Sequence, residues 1–180
     1  MKIASTNADQ FWLDIAAHSG TRDNGAPWPL QVQVAALVGS VKVEASTTTF
    51  SGGESPSTWA VTIITADRRL ISVRMQFDAE QYDLDRDMTV SLDNPVGATV
   101  TESFARRLSD VARLDIRKAR MRPTTMGRTF RDVLDVGDVG LAFQDGLTVE
   151  LAVDQVEMSM YDDRGRSDAF IDALRKHTGL

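Results

Sequence analysis

The chain contains no cysteine and only two histidines, His18 and His177. The first absence excludes a disulfide scaffold, a thiolate metal site and a cysteine nucleophile. The second leaves any Ser-His-Asp chemistry dependent on one of two residues that fall in terminal helical segments, where dipole complementarity and solvation explain them. Long apolar runs are missing too. A stretch such as Ala35 to Val38 is far short of the ~20 residues a membrane span needs. The opening residues turn polar at Ser5-Thr6-Asn7 with no apolar signal core, so a cytoplasmic protein is expected. No Gly-x-Gly-x-x-Gly or Gly-x-x-x-x-Gly-Lys-Ser/Thr phosphate cradle occurs. No cofactor or metal is implied.

What remains is an ordinary globular composition. Of 180 residues, 42% are apolar and 26% charged, and the net charge is −6. That length supports one domain with extensions, or two very small ones, and a core that needs no metal or cross-link.

Residues 8–18 predict a short helix with Phe11, Trp12 and Ile15 on one face, Asn7 as cap and Gly20 as stop. Residues 20–29 are turn chemistry, so 1–29 reads as a helical segment and linker ahead of a domain over 30–180. The period then changes to two. Val32, Val34, Ala36 and Val38 alternate with Gln31, Gln33 and Ala35, and Val41 and Val43 resume after a turn or bulge at Gly39-Ser40. Residues 51–58 read as a flexible loop within a Ser/Thr/Gly-rich region, 46–58. Trp59, Val61 and Ile63, a polar connection at 66–69, and Ile71, Val73, Met75 and Phe77 predict an antiparallel hairpin with one wet face.

Residues 78–95 read as an acidic loop with a short strand at 90–92. Residues 102–122 carry helical spacing (Phe104, Leu108, Val111) and then strand spacing, and a strand is expected from 111 onward. Residues 122–129 read as loop. Val139 to Phe143, a turn at Gln144-Asp145-Gly146, and Leu147 to Val153 predict a second hairpin. Val156, Met158 and Met160 continue it on the opposite parity. A terminal helix follows, capped by Ser167, buried through Phe170, Ile171 and Leu174, and ended by Gly179.

The segment Val61-Thr-Ile-Ile-Thr-Ala-Asp-Arg-Arg-Leu-Ile-Ser-Val73 resembles the hairpin of bacterial pleckstrin-homology-like (PH-like) domains, and Arg107-Leu-Ser-Asp-Val-Ala-Arg-Leu-Asp-Ile116 resembles their following strand. The likeness covers roughly residues 30–178. It implies a mainly β fold with α elements: a bent antiparallel sheet, or partly open barrel, capped by the C-terminal helix. It also implies a binding or scaffolding module rather than an enzyme. The chain departs from the pattern at 78–103, which is longer than the usual connection. Lys42 is the one basic residue in 31–50, so phosphoinositide binding does not carry over.

The charge is segregated. Residues 104–131 hold nine basic residues (Arg106, Arg107, Arg113, Arg117, Lys118, Arg120, Arg122, Arg128, Arg131) against Asp110 and Asp115, a surplus of seven that leaves the rest of the chain at −13. Such a segment suits an anionic ligand or membrane surface, the acidic stretch 78–93 within the chain or on another subunit, or plain solvation. The overall acidity, with Phe130 the one aromatic among these arginines, argues against nucleic acid.

Asp83-Leu-Asp85-Arg-Asp87 resembles the start of a calcium loop but fails at Met88 and Asn94, where Gly and Glu are needed. Asp132, Asp135 and Asp138 recur every three residues, but Gly137 and Gly140 argue for a loop there. Gly53-Glu-Ser55-Pro-Ser57 is an incomplete nucleophile elbow. Trp28, between Pro27 and Pro29, either packs the leading segment onto the sheet or anchors a partner. The expected function is therefore non-catalytic protein–protein contact or self-association into a homo-oligomer. The alternatives are anionic-ligand or membrane-surface binding through 106–131, a phage or virion structural subunit, and a carboxylate-dependent hydrolase.

Overall fold

The computed structural model describes residues 7–91, 93–123, 129–151, 153 and 162–179, and of 120, 122–123, 129–135 and 162–164 it describes the backbone alone. The chain divides into two compact units, Met1–Arg106 and Arg107–Leu180.

In the first unit, helices α1 (Ala8–Ser19) and α2 (Trp28–Val38) lie against a sheet of β1 (Val43–Ser51), β2 (Ser57–Thr65), β3 (Arg69–Phe77) and β4 (Ala98–Arg107), in the order β1-β2-β3-β4. A two-turn helix α3 (Leu84–Thr89) precedes β4. Asn7 caps α1 by accepting from the Gln10 amide at 3.2 Å, and the Gly20 amide closes it on Ala16.

The hairpin of β2 and β3 pairs Trp59 with Met75, Val61 with Val73 and Ile63 with Ile71. Those odd positions, with Phe77, form one buried core with Ile15, Leu30, Val34, Ala35, Val38 and Tyr82. The opposite face is wet only in part. Arg74 is exposed, while Ser72 is buried and donates to the Glu102 carboxylate on β4. The Trp59 indole donates to the Tyr82 carbonyl at 2.7 Å, which satisfies its one polar atom.

Residues 31–38 are helix, not the expected strand. Their apolar residues satisfy both periods: Val32, Val34, Ala36 and Val38 alternate, while Leu30, Val34, Ala35 and Val38 make one helical face, and it is the second set that is buried. Pro29 in the first turn decides the matter, since its fixed φ suits a helix start and its missing N–H costs nothing there. Gly39, at φ 65°, ends α2 in a conformation that side chains resist.

Helix α2 contains no charged residue, and the backbone groups at its last turn are met from outside. Arg69 at the start of β3 donates to the carbonyls of Leu37 (2.9 Å) and Val38 (3.2 Å), while its Nε donates to Asp67 at 2.8 Å. A cation is thus fixed at the negative end of the helix dipole. Partial burial pushes the Asp67 carboxyl up, but hydrogen bonds from Thr65 and Arg69 and the Arg69 charge outweigh it and hold it below the ordinary range.

Three further segments differ from expectation. The loop expected over 51–58 is shorter, because Ser51 ends β1 and Ser57 and Thr58 begin β2. The acidic stretch 78–95 contains α3 rather than a strand at 90–92, and Leu92 lies outside the described residues. Residues 98–107 form β4, whose alternation of half-exposed and exposed positions lacks the apolar signal a buried strand gives.

The second unit contains a sheet of order β5-β8-β9, from β5 (Val111–Ile116), β8 (Val139–Phe143) and β9 (Thr148–Leu151), and a ribbon of β6 (Ala119–Pro123) with β7 (Thr129–Val136). Gly146, at φ 88°, forms the turn between β8 and β9. Residues 132–136 are strand, not loop, so the three-residue spacing of Asp132, Asp135 and Asp138 gathers no helical cluster. The terminal helix α4 (Asp162–Thr178) lies against β7 and a 3₁₀ turn at Leu108–Asp110, with Phe170, Leu174 and Leu108 fully buried. It begins five residues before Ser167, whose hydroxyl donates to the Val153 carbonyl instead of capping. The strand expected at 156–160 lies outside the described residues.

The fold class is thus the expected one: antiparallel sheets with a short N-terminal and a C-terminal helix, the four-stranded sheet open rather than closed into a barrel. Among the described residues no helix is long and apolar enough to cross a membrane.

Two outcomes follow. Leu30→Ala, at a fully buried site, lowers stability by about 2–5 kcal/mol in urea titration. Because the Asp67 carboxyl is depressed in the folded state, its contribution is present above the unfolded value of about 3.9 and lost as pH falls below it. The stability gap between the parent chain and Asp67→Asn therefore narrows when titrations are repeated below about pH 4. A gap independent of pH contradicts the Asp67–Arg69 linkage.

Candidate functional site

The first unit has a surface groove of about 540 Å³ lined by Asp9, Trp12, Leu13 and Ala16 of α1, Trp28 and Gln31 of α2, and Leu84, Asp87 and Met88 of α3. Helical geometry explains the set: 9, 12, 13 and 16 share one face of α1, and 84, 87 and 88 one face of α3. Its lining is apolar with two carboxylates and no basic side chain.

The apolar groups stand open. Leu13 is 63% exposed, Trp28 47% and Met88 74%. Val32, one turn along α2 from Trp28, is exposed as well. Trp28 packs on Trp12 of the leading helix, with ring centroids 4.5 Å apart, and still presents about half its surface.

Asp87 builds the groove. Helix α2 begins after Pro27 with no side-chain cap of its own and no acidic residue in its first turn. Asp87 supplies both, accepting the Trp28 amide at 2.8 Å with one oxygen and the Tyr82 hydroxyl with the other. Tyr82 is buried against Phe77, ring centroids 4.8 Å apart. Burial, then the hydrogen bond and charge of Asp87, push its phenol above the ordinary range. Asp83 caps α3 by accepting the Arg86 amide at 3.0 Å, so the calcium-like spelling 83–87 is here a helix start. The Leu84 amide donates to the Gly25 carbonyl at 2.9 Å, and a Cβ on Gly25 would meet the Leu84 Cβ at 2.9 Å. Glycine at 25 is what lets α3 close on the α1–α2 connection.

The basic candidates are distributed. Arg106 and Arg107 end β4. Arg113, exposed, pairs with Asp115 at 3.0 Å, and Arg117 pairs with Glu150 at 2.6 Å. Lys118 is exposed just after β5. Arg120 and Arg122 lie in β6 with their side chains outside the description, as is that of Arg131, and Arg128 is outside it altogether. Two apolar residues stand exposed in the same run, Ile116 at 47% and Met121 at 52%.

The remaining candidates have local structural roles. The His18 ring is 2.9 Å from the Ser46 hydroxyl and its carbonyl accepts from Thr48, which pins α1 to β1 rather than leaving His18 to solvent. Gly53 to Ser57 joins two strands, so the strand-to-helix turn of a nucleophile elbow is not formed. Among the described residues no three His, Cys, Asp or Glu side chains are grouped to hold a metal.

Sequence reasoning found Trp28 but missed Leu13 and Met88. The available signal for Leu13 was its position beside, not on, the face of Phe11, Trp12 and Ile15: an apolar residue on a helix whose core face is already complete. No protein family, curated protein or solved structure matches this chain.

Surface truncation separates site from core. Leu13→Ala leaves stability within about 0.5 kcal/mol in urea titration. Asp87→Ala lowers it by about 1–2 kcal/mol, the ordinary cost of a lost cap. Equal losses for both variants would mean that Leu13 is part of the core.

Proposed function

We propose that this chain is a non-catalytic binding module that makes protein–protein contacts by taking apolar side chains into the groove of α1, α2 and α3. The observation that carries the reading is the clustering of Leu13, Trp28 and Met88, all about half exposed or more, around one concavity. Scattered surface leucines are ordinary, whereas contiguous apolar surface around an aromatic marks contact sites. Tryptophan gives large contact area at little entropic cost, and stacking on Trp12 already restricts Trp28. Asp9 and Asp87 disfavour an anionic lipid surface at this groove. The likeness of 61–73 and 107–116 to PH-like domains supports a scaffold of the same binding type.

Selection of displayed random peptides on the purified chain tests this. Enriched peptides share an apolar anchor, and their binding falls at least roughly tenfold with Trp28→Ala or Met88→Asp. No enrichment, or binding indifferent to both substitutions, overturns the proposal.

A further inference from the structure

The groove and the basic run are complementary in two respects at once. The groove offers Leu13, Trp28 and Met88 beside Asp9 and Asp87, with no basic side chain in its lining. The one basic residue of α3, Arg86, lies about half a turn from the face that carries Leu84, Asp87 and Met88. The segment 113–122 offers the reverse. Five basic residues (Arg113, Arg117, Lys118, Arg120, Arg122) stand against Asp115 alone, with Ile116 and Met121 exposed among them. The partners of Arg113 and Arg117 are carboxylates of their own unit, and both guanidinium groups remain half exposed or more. Apolar anchors flanked by cations are the chemistry that an apolar groove flanked by carboxylates selects.

We infer that the groove's occupant is the Ile116–Met121 segment of a second copy of this chain, so that copies associate head to tail. The inference rests on the groove being a protein-binding site and adds the identity of the partner. Because donor and acceptor surfaces differ, the contact is heterologous, and it continues from copy to copy unless a ring closes. Charge pairing at its edge makes it weaken with salt.

Sedimentation of the full chain tests it, with groove variants Leu13→Asp and Met88→Asp and segment variants Ile116→Asp and Met121→Asp. All four substitutions fall on exposed side chains. Two variants per surface, each checked by circular dichroism, keep the test open if one misfolds. The parent chain is expected to associate with rising concentration, more weakly at about 500 mM than at about 50 mM salt. Each variant alone is expected to sediment as a monomer. An equimolar mixture of Leu13→Asp and Ile116→Asp is expected to form dimers and nothing larger, because one intact groove and one intact segment remain. The inference is overturned if the parent stays monomeric, if segment variants associate as the parent does, if the mixture stays monomeric, or if salt strengthens association. A monomeric parent that still binds selected peptides removes only the second copy as partner. Loss of peptide binding removes the groove itself.

Discussion

The first unit depends on how an uncharged helix is held on a sheet. Helix α2 has apolar residues on every side, so burial alone would let it slide or rotate with little penalty. Its position is fixed by two charges that it does not carry. Asp87 takes the amide at its first residue, and Arg69 takes the carbonyls of its last two. Both satisfy backbone groups that no helix can satisfy internally, and both have the sign the dipole favours. Hydrophobic burial supplies the larger stabilisation, and the caps supply position.

That arrangement also creates the surface. Asp87 reaches Trp28 only because α3 is folded back over the α1–α2 connection, where Gly25 permits close approach. The same folding brings Met88 and Leu84 beside Leu13 and Trp12. Tyr82 links this layer to the sheet, since its carbonyl holds Trp59 and its hydroxyl holds Asp87. The groove is therefore not a defect in packing. It is the outer side of the network whose inner side is the core, so its apolar groups are held in place without being covered.

The sequence made some of this legible. The hairpin 57–77 was readable because Ile71, Val73, Met75 and Phe77 alternate with polar residues and no competing helical pattern fits. The terminal helix was readable from Phe170, Ile171 and Leu174. Helix α2 was not, because a run of small and β-branched apolar residues satisfies both periods, and the tie is broken by Pro29 and by Asp87 and Arg69, 59 and more than 30 residues distant in sequence. Strand β4 was not, because its side chains are half-exposed or exposed and carry no period-two apolar signal. Of the site, Trp28 was visible as an aromatic between prolines. Met88 was seen only as the residue standing where a calcium loop needs its turn glycine, because its meaning depends on a tertiary neighbour.

The charge segregation then has a physical reading that composition alone leaves open. A surplus of seven positive charges within 104–131 repels itself, and Asp115 and Glu150 offset part of that locally through Arg113 and Arg117. Surface pairs of this kind contribute little to stability. These two surface pairs do not account for Ile116 and Met121 standing exposed in the same run. The acidic stretch 78–93 is different, because Asp83 and Asp87 cap helices and Asp87 also holds Tyr82. One half of the segregated charge thus positions the apolar groove, while the other half carries Arg113, Arg117 and Lys118 exposed beside Ile116. Between two copies, opposite charge steers encounter and sets orientation, and the apolar contacts decide whether the encounter lasts.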